Sequence, residues 1–187
     1  MSKAIGGFDA ETVSRRVKKR KINKSLLVAL IKTIPSNETI IDMGAGVGTC
    51  QDALTALGYT VKSVDGGENI EELTGGKVEW ADLTRDCSHL YGKWDWGLFI
   101  DVGEHIPAEL EGRLFAEICQ IPKKGLIVSW GSPGQRGNGH VNCKTTVYIA
   151  NMFARFGWDI DDLLSKRIQS RAGSFFKRRI MVLRRVS

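Results

Sequence analysis

Asp42 stands two residues ahead of glycines that recur at every second position, Gly44, Gly46 and Gly48, in the stretch TIIDMGAGVG. A bare turn between a strand and a helix lets a ligand approach the main chain and frees helix N–H groups to meet an anion. A pyrophosphate-binding turn would need GxGxxG. This turn is GxGxG, and Asp42 at its entrance would repel a pyrophosphate. An acid at that place suits a ligand with a cationic end.

Asp65 lies 21 residues beyond Gly44, where a second strand should end. A carboxylate there can accept two hydrogen bonds from ribose hydroxyls. Asp82 follows a third predicted strand. Asp101, Glu104 and His105 follow a fourth, and the loop SWGSPGQRGNGHVN, residues 129–142, follows a fifth. The implied ligand has a ribose, no phosphate bridge, a cation and a carboxylate. S-adenosylmethionine meets this description.

Elements must place these residues on one rim. The pattern predicts helices over 22–34, 49–57, 108–120 and 145–156. It predicts strands over 39–42, 59–64, 77–80, 96–100, 125–130 and 178–183. Strands alternating with helices imply βαβ units and a mainly parallel sheet. Ligands then bind outside the carboxyl ends of the strands.

The motifs IIDMGAGVGT, VKSVDGGENI, VEWADLT and WDWGLFIDVGEHIP resemble the class I S-adenosylmethionine-dependent methyltransferases, in order and spacing, over residues 39–107. The later helix, the GLIVSW strand and the terminal FFKRRIMVL strand fit the same pattern. The loop is similar to a GQ-x-G-x-GHVN loop of small uncharacterised methyltransferases of this class. The resemblance implies an α/β Rossmann-like three-layer α/β/α sandwich. Its sheet would have seven mostly parallel strands, the last one inserted and antiparallel.

The resemblance also implies roles. Asp42, Gly44, Ala45 and Gly46 would hold the methionine end of the cofactor. Asp65 would bind the ribose, with Gly66 and Glu68 to Ile70, including Asn69, near the adenosine. Asp82 would accept the adenine amino group and Leu83 would pack on or pair with the base. Asp101 and Val102 would lie under the methionine and sulfonium. Glu104 and His105 belong to an EHI segment common in small-molecule methyltransferases. His105 is a candidate general base or a packing group, and His140 and Glu104 are further catalytic candidates. Ser129, Gln135, His140 and Asn142 would contact the acceptor or close over the site. The fourth strand ends in DVGEH rather than the NPPY of adenine and glutamine amino methyltransferases. That favours a small-molecule oxygen, nitrogen or carbon acceptor. No metal constellation is evident; Asp101, Glu104 and His105 could hold an ion, but their spacing is not diagnostic.

The 187 residues favour one domain with a sizeable core. With 42% hydrophobic and 26% charged residues, the composition is that of a globular protein. We expect a basic extension over residues 1–21, loosely held, and a single methyltransferase domain over 22–187. No apolar run reaches the roughly 18 residues of a membrane span. The N-terminus also lacks the apolar core of a secretory signal. Cys50, Cys87, Cys119 and Cys143 form no CxxC pair, as expected of reduced thiols in a cytoplasmic protein. The net charge of +6 gathers in RRVKKRK at residues 15–21 and in the arginines of residues 177–185. The run has no interleaved aromatics, so a solvated amphipathic helix is the plainer reading and nucleic acid the second. Cleavage of the cofactor on the same fold is a further alternative. Oligomeric state is not set by the sequence.

Overall fold

The computed structural model describes residues 3–19 and 21–186, so Arg20 of the basic run lies outside the described residues. Seven strands form one sheet in the order β3-β2-β1-β4-β5-β7-β6. They are β1 (Ile40–Met43), β2 (Val61–Asp65), β3 (Val78–Trp80), β4 (Trp94–Ile100), β5 (Pro122–Ser129), β6 (Trp158–Ile160) and β7 (Met181–Arg185). The pairs β1–β2, β1–β4, β2–β3 and β4–β5 are parallel. β7 is inserted antiparallel between β5 and β6. This is the Rossmann-like α/β architecture with an inserted last strand that the sequence implied. β6 and two helices, α4 (Ile70–Thr74) and α7 (Asp162–Gln169), complete it without having been foreseen individually.

Both faces of the sheet are buried, as parallel sheets require. Alternation along β4 and β5 sorts the side chains. Phe99, Leu126 and Val128 pack with Leu114, Phe115 and Ile118 of α5 (Glu111–Ile118) and with Ile149 and Phe153 of α6 (Thr146–Ala154). Trp96, Leu98 and Ile127 turn the other way. They meet Leu26, Ala29 and Leu30 of α2 (Lys24–Ile31), Leu54 of α3 (Thr49–Thr55) and Ile168 of α7. The period of two along each strand is what assigns these residues to opposite layers.

The N-terminal segment is not loosely held over its described part. Asp9 caps α1 (Ala10–Lys18) by accepting from the Thr12 amide at 2.8 Å. Val13 of α1 is buried with Val47, Ile70 and Val78. Ahead of the helix, the Ala4 amide donates to the Gly66 carbonyl and the Glu68 amide to the Phe8 carbonyl, both at 2.8 Å. At Gly7 a Cβ would lie 2.2 Å from the Gly66 carbonyl oxygen, so only glycine permits this approach. Apolar Ala4, Phe8 and Val13 anchor the strap; the basic run gave no hint of them.

Candidate active site

The glycine turn joins β1 to α3 with Gly44 at φ 77° and Gly46 at φ 55°. Only glycine adopts such angles without strain. A Cβ on Gly44 would also sit 2.4 Å from a Val102 methyl. Asp65, at the end of β2, closes the turn. One carboxylate oxygen accepts from the Gly46 amide and the other from the Gly67 amide, each at 2.7 Å. Burial pushes the Asp65 carboxyl up, while those two amides and Arg16 pull it down.

These groups open onto a cavity of about 330 Å³. Its wall includes Gly44, Ala45, Gly46, Asp65, Gly66, Asp82, Leu83, Asp101, Val102 and His105. The strand ends therefore do converge on one rim. Asp82 is 6% exposed, and its Oδ1 accepts from the Thr84 amide at 3.0 Å and the Thr84 hydroxyl at 2.7 Å. Its other oxygen lies 3.3 Å from the exposed Arg85 guanidinium and is the one left for a ligand donor.

Other expected contacts lie off the cavity wall. Asp42 is buried under the turn, where burial, and then the charge of Asp65, raise its pKa to about 7. Asn69 opens α4 at φ 53° outside the cavity lining. Ser129 is fully buried at the end of β5 and donates to Asp101 Oδ1 at 2.6 Å. It was expected at the acceptor; it orients Asp101 instead, because the pleat turns its hydroxyl toward the neighbouring strand end. Asn142 was expected there too. It is buried and donates to Glu111 at 2.7 Å, latching the loop to α5. Gln135 accepts from the Ser132 amide at 3.2 Å and so braces its own turn.

Asp101 itself has φ 54°, uncommon for a residue with a Cβ. Arg179, in the segment leading into β7, holds it with Nη1 3.0 Å from Oδ1. The same guanidinium donates to the Trp130 carbonyl at 3.2 Å.

After β4 a 3-10 turn over Gly103–His105 presents Glu104 and His105. Glu104 is fully buried, and neither carboxylate oxygen makes a hydrogen bond of normal geometry among the described residues, its own amide and that of Gly131 lying close enough only to lower its pKa. Burial, with Asp101 adding to it, holds its carboxyl above the usual range. Burial also holds the His105 imidazole below its ordinary value, partly offset by the Gly139 carbonyl. The His105 and His140 rings stand edge to face at 5.0 Å, so the 129–142 loop brings its histidine to the fourth strand end.

Three contributors escaped the sequence reading. Ala4 to Phe8 form one side of the cavity, and Arg16 of α1 lies on its wall with its guanidinium 3.8 Å from the Phe8 ring centre. Arg16 belonged to a run that looked solvated, and Arg179 to one that looked like plain strand. Neither has a spacing signal; only the apolar Phe8 ahead of Asp9 could have suggested a docked segment.

No model of a known protein family matches the chain, and no curated protein matches it in sequence. Solved structures do match in fold. Magnesium protoporphyrin IX methyltransferase (ChlM) from Synechocystis PCC 6803, with bound SAH, is 20% identical with a TM-score of 0.61, over 94% of this chain and 82% of that one. The CcbJ methyltransferase from Streptomyces caelestis is 11% identical with a TM-score of 0.69, over all of both chains. The 1,6-didemethyltoxoflavin-N1-methyltransferase from Burkholderia thailandensis, solved with bound 1,6-didemethyltoxoflavin and S-adenosylhomocysteine, is 16% identical. Its TM-score is 0.63, over 95% of this chain and 87% of that one. At these identities the likeness shows the fold: a Rossmann-like architecture that methyltransferases share.

Proposed function

We propose that the chain is an S-adenosylmethionine-dependent methyltransferase acting on a small-molecule oxygen, nitrogen or carbon acceptor. One observation carries the reading. The GxGxG turn, Asp65, Asp82–Leu83 and Asp101–Val102 line a single cavity at the carboxyl ends of β1 to β4. The solved neighbours that hold S-adenosylhomocysteine, ChlM and the toxoflavin enzyme, have this fold and act on small molecules by name.

In this reading Asp65 takes the ribose hydroxyls, using lone pairs that the two glycine amides leave free. Leu83 packs on the adenine and the open oxygen of Asp82 accepts its amino group. Asp42 and Asp101 supply negative charge toward the cationic end. The Arg16 guanidinium, on the cavity wall, suits the ligand's carboxylate. The cofactor brings the reactive methyl group. The protein aligns the acceptor with it for in-line displacement, and positioning of this kind contributes on the order of 7 kcal/mol in favourable cases. His105, on the cavity wall, and His140, whose ring packs against it, are the candidates for a base, which is needed only where the acceptor arrives protonated. The four cysteines are free, in keeping with a reducing, cytoplasmic compartment. Among the described residues no helix is long and apolar enough to cross a membrane.

A second reading has its own observation. Arg15, Arg16, Lys19 and Lys21 line a cleft beside the glycine turn, a place for a nucleic-acid backbone. Release of S-adenosylhomocysteine across a panel of hydroxyl, amine and carbon-acid acceptors tests the first reading. Turnover with RNA alone would favour the second, and loss of S-adenosylmethionine with no acceptor and without release of S-adenosylhomocysteine would indicate cofactor cleavage.

A further inference from the structure

Glu104 is the least satisfied polar side chain near the cavity. A buried carboxylate with no well-formed hydrogen bond is costly unless a cation or a better-placed partner is supplied. Arg179 does not supply it, being engaged by Asp101 and the Trp130 carbonyl.

Two imidazoles stand where such a partner would sit. One oxygen of Glu104 and one nitrogen each of His105 and His140 lie within 4.8 Å of one another. His105 Nδ1 is 3.1 Å from the Gly139 carbonyl oxygen, and His140 Nδ1 is 3.2 Å from that of Gln135. A carbonyl only accepts, so in neutral rings these contacts favour the proton on Nδ1 and the lone pair on Nε2; His140 Nδ1 also lies 3.7 Å from Cys143 Sγ. Backbone carbonyls set the tautomer of metal-ligating histidines in this way. The loop is also pinned to the turn it faces. The Val141 and Asn142 amides donate to the Glu104 carbonyl at 2.9 and 3.0 Å, and Trp130 Nε1 donates to the Asn142 carbonyl at 2.7 Å. His105 packs on Phe8 at 5.4 Å, which would explain the ring as a wall residue but leaves the Glu104 oxygens without well-formed hydrogen bonds.

We propose that Glu104, His105 and His140 bind a divalent first-row transition cation beside the methyl-donor cavity, on whose wall His105 lies. Two neutral imidazoles and a carboxylate favour such an ion over Mg²⁺ or Ca²⁺, which take all-oxygen sets. Three protein ligands leave coordination positions open. His105 also lines the cavity, so an acceptor oxygen there can join the ion and become more acidic. That role rests on the methyltransferase reading; the ion site does not.

The test is calorimetric titration of untagged, chelator-treated full-length protein with Zn²⁺, Mn²⁺ and Mg²⁺, and separately with S-adenosylhomocysteine. We expect one equivalent of Zn²⁺ or Mn²⁺ to bind, with Mg²⁺ at least about tenfold weaker. Glu104→Gln and His140→Ala should each weaken transition-ion binding by about tenfold or more. His140→Ala, in a loop, serves as the deciding variant if Glu104→Gln does not fold. It should bind S-adenosylhomocysteine within about twofold of wild type. No transition-ion binding by wild type, unchanged binding by His140→Ala, or Mg²⁺ binding as tightly would overturn the site. Ion binding without S-adenosylhomocysteine binding would support the site and overturn the cavity's assignment instead.

Discussion

Arg179 and Asp101, 78 positions apart in the chain, form a two-pronged ion pair, with Nη1–Oδ1 at 3.0 Å and Nη2–Oδ2 at 3.4 Å. Ser129 adds a third bond to the same carboxylate at 2.6 Å. Asp101 carries a left-handed backbone, a conformation that persists where surrounding contacts over-determine it. The pair thus fixes a residue on the cavity wall through a group on the opposite side of the last crossover.

Arg179→Met should loosen that wall. Removing one partner of a well-covered pair is strongly destabilising. Arg179 is 8% exposed, but Asp101 is about a quarter exposed, so solvent softens the loss to about 1–3 kcal/mol. Chemical denaturation reads the stability. Turnover should fall with it, since Asp101 is then held by Ser129 alone.

Asp42 gives a pH dependence. Its folded pKa of about 7 lies above the unfolded value of about 4, so the folded protein holds an extra proton between them. Stability from this group is present below about pH 4 and is lost as pH rises through about 7. Asp42→Asn removes the dependence. The variant should therefore gain stability relative to wild type, on the order of 2 kcal/mol, between about pH 5 and about pH 8. An unchanged difference across that range would show that Asp42 ionises freely. Cofactor affinity of wild type should rise over the same range, because the cationic end needs the carboxylate.

How much of this the sequence carried depends on the kind of signal. Strand ends were legible because β-branched runs such as TIID and GLIV stop at polar residues, and the parallel order then sends those residues to one rim. The turn at Gly44 was legible because alternating glycines have few other uses. Side-chain facing was not. Ser129 looks like a rim residue in sequence, and the pleat buries it against Asp101. Arg16, Phe8 and Arg179 reach the site through tertiary docking across tens of residues, which leaves no local periodicity. The three-residue β6 is too short to show alternation.

Arg16→Ala tests the docked N-terminal helix. The side chain lies over the Phe8 ring and faces Asp65, so stability should fall by about 0.5–1 kcal/mol. S-adenosylhomocysteine should bind about 1–2 kcal/mol more weakly if Arg16 holds its carboxylate. Equal affinity would return Arg16 to the role of a surface cation.

Gly44→Ala should be severe. The methyl group would meet Val102 at 2.4 Å, and φ 77° adds backbone strain. A loss of about 1–3 kcal/mol in stability is expected, with cofactor binding reduced further because the Val102 side chain must enter the cavity. Thermal melting with and without S-adenosylhomocysteine separates the two effects.

The cavity's ligand decides the function. Titration of wild type and Asp65→Ala with S-adenosylhomocysteine and with NAD measures this most directly. Wild type should bind S-adenosylhomocysteine and not NAD, and Asp65→Ala should lose about 1–3 kcal/mol of affinity through its missing charged hydrogen bonds. Binding of NAD alone, or S-adenosylhomocysteine affinity unchanged by Asp65→Ala, would contradict the methyltransferase reading.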